Sequence, residues 1–123
     1  MKKFTGVCLI TPDVPRLSAF YHEILGVEME GDQTHVELFT QGAGMAIFSE
    51  AGMEQLAPQS MQGAGCGAFT LEFQVEDVDR EFERLQALGV PIVKPPTTYP
   101  WGRRATWFRD PDGNIVNFYQ VVI

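Results

Sequence analysis

His35 and Glu37 stand two positions apart in a run that alternates polar and apolar residues through Val36 and Leu38. Residues two apart on a strand share a face, so an imidazole and a carboxylate are presented side by side. That is the beginning of a divalent-metal site, and Glu72 adds a third donor if it converges on the pair. A full set is lacking, because the only other histidine, His22, lies on a helical stripe. Metal sites take three or four convergent ligands, so the plainer reading is a half-exposed polar strand face. Glu72 has a second use. A carboxyl desolvated in a cleft has a raised pKa, which suits a general base; the ordinary alternative is a solvated Glu72 paired with Arg103 or Arg104. Cys8 lies on an early strand with no histidine placed to activate it, so no nucleophilic role is expected.

The elements that must position these groups occur twice. Asp13-Val14-Pro15-Arg16 leads through an apolar stripe to Leu25-Gly26-Val27, and Asp77-Val78-Asp79-Arg80 leads through a similar one to Leu88-Gly89-Val90. The copies lie 64 positions apart at the aspartate and 63 at the glycine, so one slip separates them. A fixed period of this kind sets the architecture. It predicts an α+β fold of two tandem βαβββ modules, forming a curved mixed sheet around a cleft. The first module covers residues 1–50, a linker 51–65, and the second module 66–123.

Within the first module, residues 4–10 have strand character. Asp13 caps a helix over 14–25, with Val14, Leu17, Phe20, Tyr21, Ile24 and Leu25 on one face. Gly26 takes the left-handed position that ends it. Short strands follow near 27–31, 34–40 and 44–49. The linker is rich in Gly, Gln, Met and Pro and has no period. In the second module, residues 68–75 alternate cleanly, and Asp77 caps a helix striped by Val78, Phe82, Leu85 and Leu88. A Pro-rich loop to Gly102, a strand at 104–109, the turn Asp110-Pro111-Asp112-Gly113 and a last strand complete it. Phe20, Tyr21, Phe69, Phe73 and Phe82 are expected in the core. Helices cover one face of each sheet, so His35, Glu37 and Phe39 in one module, and Thr70 and Glu72 in the other, are expected on the cleft side.

Composition narrows the function classes. At 123 residues, 45% apolar and 20% charged, the chain has the make-up of one ordinary globular domain. No apolar run is long enough to span a bilayer, and the strand-like start broken by Pro12 is too short and wrongly flanked for a signal peptide. The two cysteines, Cys8 and Cys66, form no motif, which suggests a reducing, cytoplasmic setting. A net charge of −7 disfavours nucleic acid and anionic membranes as partners and is compatible with a cationic ligand.

Three stretches carry a family resemblance: Asp13 through Phe20-Tyr21 to Leu25-Gly26, the paired segment from Asp77 to Gly89, and Phe108-Arg109-Asp110-Pro111-Asp112-Gly113-Asn114. In this order they span nearly the whole chain. The sequence resembles the vicinal oxygen chelate superfamily of glyoxalase I, extradiol dioxygenases, fosfomycin-resistance enzymes and bleomycin-resistance proteins. That scaffold hosts both enzymes and plain binders. The resemblance implies metal ligands at four positions, which here are Gly6, Ala46, Thr70 and Asn117. None is a good ligand for a transition metal, so no metal and no cofactor is expected. Pro100-Trp101-Gly102-Arg103 looks like the corresponding stretch of bleomycin-resistance proteins, which are metal-free and dimeric and hold a bulky cationic, aromatic-rich drug. Aromatic faces stack on flat heterocycles and attract cations. The implied ligand contacts are Phe39, Phe48, Thr70, Glu72, Tyr99, Trp101, Asn117 and Tyr119, although Trp101 serves equally well to pin its loop. The expected function is metal-independent capture of a small aromatic or cationic molecule by a homodimer. The alternative is a glyoxalase-like lyase or isomerase, working on a small carbonyl substrate through Glu72 or a His35/Glu37 metal.

Overall fold

Asp13 and Asp77 do the same local job. Each carboxylate accepts a hydrogen bond from the backbone N–H three residues on, Arg16 and Arg80 respectively, at 3.1 Å. This satisfies one of the orphan donors of a helix N-terminus. In the computed structural model, which describes residues 1–122, the helices so started are α1 (Val14–Leu25) and α3 (Val78–Ala87). Gly26 closes α1 at φ 65°, donating its N–H to the His22 carbonyl. Gly89, at φ 73°, follows the end of α3. Both positions need a left-handed backbone that a side chain would strain.

The chain forms two compact units, one ending at Ala64 and one beginning at Gly65. In the first, β1 (Gly6–Thr11), β2 (Met29–Gly31), β3 (His35–Leu38) and β4 (Gly44–Ser49) form a sheet in the order β1-β4-β3-β2. In the second, β5 (Thr70–Gln74), β6 (Ile92–Tyr99), β7 (Arg103–Arg109) and β8 (Ile115–Val121) form a sheet in the order β5-β8-β7-β6. In each, the first strand lies parallel to the last and all other neighbours are antiparallel. The repeat seen in the sequence is therefore a repeat of topology, and the fold is α+β with two tandem βαβββ modules.

Each module has its own core on the helix side of its sheet. Leu17, Tyr21 and Ile24 of α1 are buried, as are Val36, Leu38, Met45 and Ile47 beneath them. Val78 and Leu85 of α3 are buried with Leu71, Phe108, Val116 and Phe118. Phe73 and Phe108 meet the Phe118 ring edge-on. Asp110 is buried in the final turn, where its carboxylate accepts from the N–H groups of Asp112 and Asn114 and from the Asn114 amide. Among the described residues no helix is long and apolar enough to cross a membrane.

Several expectations need correction. The linker opens with a helix, α2 (Glu50–Leu56), capped by the Ser49 hydroxyl, which accepts from the Gly52 N–H at 2.9 Å. Gly52 is its only buried residue, so the helix shows no apolar stripe to read. The Pro-rich segment is a strand. β6 lies at the sheet edge and carries Pro95 and Pro96, and its pairing with β7 shifts register on both sides of Lys94. An edge strand with bulges tolerates residues that lack an N–H donor. Phe69 precedes β5 and is 44% exposed, and Leu88 falls past the end of α3 at 46% exposed, so neither belongs to the core. Phe20, Phe73 and Phe82 are half-buried.

Candidate functional site

The residues singled out in the sequence fall into two groups, one in each unit. In the first, the face of the sheet away from α1 presents Ile10, Phe48 and His35 in one cross-strand row, and Cys8, Ala46, Glu37 and Glu30 in the next. His35 and Glu37 are both exposed, as the alternation requires. The Phe48 ring packs edge-on to His35, with centroids 5.9 Å apart, and lies against Gly52 of α2. Phe48 is thus half-buried in packing of its own unit. Phe39 falls one residue beyond β3, is 52% exposed, and donates its backbone N–H to the Glu28 carbonyl. Among the described residues no three His, Cys, Asp or Glu side chains gather closely enough to hold a metal ion.

The four positions at which the resemblance implies metal ligands do not fit a metal either. Gly6 lies on β1 opposite Gly44, and Ala46 lies on β4 opposite Cys8; neither has a donor side chain. Thr70 begins β5 and Asn117 lies on β8, and they offer only a neutral hydroxyl and amide. Partial burial of the Cys8 thiol, reinforced by the Glu37 charge, pushes its pKa up. That moves Cys8 away from thiolate chemistry.

The second unit gathers more. Directly paired residues point to one face of a sheet, and here the register sets Lys94, Trp107, Asn117 and Glu72 in one row across all four strands. A second row holds Thr97, Ala105, Tyr119 and Gln74, and a third Tyr99, Arg103 and Val121. This is the face away from α3. Five of the expected residues (Glu72, Tyr99, Asn117, Tyr119 and, by its stacking, Trp101) are brought together on it, and Thr70 begins the same strand as Glu72.

The contacts on this face are specific. Tyr99 and Trp101 stack with centroids 4.7 Å apart and planes 9° from parallel, while Trp101 stays 69% exposed. Lys94 Nζ lies 4.6 Å from the Tyr99 ring centre and 5.7 Å from that of Trp107. The Arg103 guanidinium sits 3.8 Å over the Tyr119 ring and pairs with Glu72 at 3.5 Å. The Asn117 amide donates to the same Glu72 oxygen at 3.5 Å. Glu72 is 52% exposed at its side chain, so it is solvated and paired rather than enclosed in a cleft. Three buried polar atoms here have no hydrogen-bond partner among the described residues: the Tyr99 hydroxyl, Trp107 Nε1 and Asn117 Oδ1.

Sequence reasoning missed Lys94, Arg103 as a ring partner, and Trp107. Arg103 and Trp107 share a face because β7 begins at Arg103, one residue before the strand expected over 104–109. Lys94 was hidden because β6 read as a loop.

Known proteins share this arrangement of strands. The chain is similar to the uncharacterized protein YraH of Bacillus subtilis strain 168, 29% identical over 127 residues, covering 98% of this chain and 99% of that one. A glyoxalase/bleomycin resistance protein/dioxygenase family enzyme from Burkholderia phytofirmans PsJN superposes with a TM-score of 0.88 at 20% identity, over 98% of this chain and all of that one (100%). Lactoylglutathione lyase from Agrobacterium tumefaciens gives 0.75 at 22% identity, over 98% and 94% of the two chains. At those identities the likeness is one of fold. Residues 3–118 match the family profile itself, and the chain belongs to the glyoxalase/bleomycin resistance protein/dioxygenase superfamily.

Proposed function

We propose that this protein captures a small aromatic molecule on the open face of its second sheet, with no metal and with no bond made or broken. The observation that carries this reading is the Tyr99–Trp101 stack. Trp101 leaves most of its surface in water while Tyr99 holds its plane, and a large exposed indole fixed in orientation is a platform for another flat ring. Capture in the manner of bleomycin-resistance proteins, by a homodimer, belongs to the same reading. The donor set at Gly6, Ala46, Thr70 and Asn117 supports binding over metal-assisted catalysis. The solvation of Glu72 and its pairing with Arg103 support it over carboxylate-driven catalysis.

Naphthamide, a neutral flat aromatic, tests the reading by calorimetric titration. One molecule bound per chain and recovered unchanged, with affinity reduced about tenfold or more in Trp101→Ala, is the expected result. Turnover of the compound, or undiminished binding by the variant, would overturn it. Light scattering at the same concentrations reads the dimer.

A further inference from the structure

Tyr99 is covered on both ring faces. Trp101 stacks on one, with centroids 4.7 Å apart and planes 9° from parallel, and the Lys94 ammonium stands 4.6 Å from the ring centre over the other. The order is therefore cation, phenol, indole, and the outer face of the indole is open, with Trp101 69% exposed. Trp101 lies in the turn between β6 and β7. The backbone bonds there run from the Gly102 N–H to the Tyr99 carbonyl at 3.2 Å and from the Val122 N–H to the Gly102 carbonyl at 2.9 Å. They fix the turn and leave the indole plane to the Tyr99 ring, whose own plane depends on what lies behind it. Lys94 is built for that place. Its pairing with Trp107 falls between two register shifts, and such a bulge re-aims the side chain it carries. The buried Thr106 hydroxyl donates to the Lys94 carbonyl at 2.8 Å, so the irregular backbone is tied to β7. The ammonium also lies 5.7 Å from the Trp107 ring centre. A cation is drawn to the face of a ring, a directed attraction that an apolar side chain in its place would not supply.

We propose, resting on the capture reading above, that Lys94 is a positioning residue. By holding Tyr99 from behind it fixes the plane of Trp101, and so raises the affinity for a flat ring that it never touches. A mobile indole must be ordered when a ligand stacks on it, and ordering a side chain weakens binding. An indole already held in plane has less freedom to lose.

Two measurements test this, one of them without ligand. Trp107→Phe keeps a ring beside Lys94 and leaves Trp101 as the only tryptophan. It gives up no hydrogen bond among the described residues, where Trp107 Nε1 has no partner. In that background, time-resolved anisotropy of Trp101 should show a fast-depolarising component about twofold larger in Lys94→Met. Lys94→Arg, which keeps the cation, should restore the parent value. By calorimetry, Lys94→Met should lower the affinity for naphthamide about threefold, and Lys94→Arg should recover it. Circular dichroism checks the folding of each variant, and Lys94→Gln replaces the methionine variant if that one does not fold. Unchanged anisotropy in the uncharged variant, or a loss that Lys94→Arg does not restore, would overturn positioning by the cation. A looser indole with undiminished affinity would overturn it as well. Failure of the parent protein to bind naphthamide would instead overturn the capture reading and the gain in affinity with it, while the anisotropy still decides whether Lys94 holds the ring.

Discussion

Residue types on these faces matter less than the neighbours each acquires. Cys8 and Glu37 illustrate this in the first unit. They flank Ala46 in one cross-strand row, and the thiol's pKa is raised first by burial and then by the Glu37 charge. The thiolate is the reactive form, so Cys8 is expected to be a slow nucleophile at neutral pH and to quicken as pH climbs beyond the ordinary thiol range. Glu37→Gln removes one of the two causes. In a Cys66→Ser background, iodoacetamide should label Cys8 severalfold faster in that variant at about pH 7; an unchanged rate would mean that solvent screens Glu37 completely. The aromatic residues of the second unit follow the same logic. Tyr119 looks like a ligand contact by type, yet its face is covered by Arg103. Trp101 alone combines a fixed plane with wide exposure.

Elements differ in how far their own residues specify them. Helices α1 and α3 were legible because cap, stripe and terminal glycine all lie within each segment. Strands β3 and β5 were legible from alternation. Neither α2 nor β6 carries such a local signal. α2 has seven residues and is held by Ser49 and by the approach of Gly52 to Phe48. A Cβ at Gly52 would lie 2.5 Å from the Phe48 ring. Gly52→Ala is therefore expected to destabilise by about 1–3 kcal/mol from overpacking, outweighing a gain in helix propensity of about 1 kcal/mol. In a Phe48→Leu background the clash disappears, and thermal melts should show the alanine as neutral or stabilising. The site was half legible for the same reason: Thr70 and Glu72 on β5 could be placed on a face by alternation, whereas Lys94 needed β6 to be known as a strand. α3 in turn is tied to β7 by Asp79, which accepts from Arg104 Nε at 3.0 Å and Nη2 at 2.9 Å. The Arg104 hydrogen bond holds the Asp79 carboxyl below its usual range. The folded chain then binds fewer protons in acid than the unfolded chain, so this contribution is complete above the ordinary carboxylate pKa of about 4 and is lost as pH falls through the lower folded-state value. The melting-temperature gap between the native protein and Asp79→Asn should be small, since the pair is in water, and should close between about pH 6 and about pH 3. A gap that persists at the acid end would mean that Asp79 acts through packing rather than charge.

At the scale of the whole molecule two charges compete. The chain carries −7, which is compatible with a positive ligand; among the described residues, the face of the second sheet offers an ammonium whose contacts are with the Tyr99 and Trp107 rings. The two act over different distances. Net charge steers an approaching ligand from afar, and salt removes that steering as the Debye length drops from about 30 Å at 0.01 M to about 10 Å at 0.1 M. A ring stacked on Trp101 is screened much less, because the contact lies well inside either length. Approach should therefore respond to salt, and retention hardly at all. In stopped-flow fluorescence across that range, the association rate of the anion naphthoate is expected to rise, as the repulsion of the acidic chain is screened, while that of the cation naphthylmethylammonium falls. Dissociation of naphthoate should change little. An association rate for naphthoate that falls with salt would mean that the local field of Lys94 and Arg103 dominates even at long range, so that this face, rather than the net charge of the chain, governs which ligands arrive.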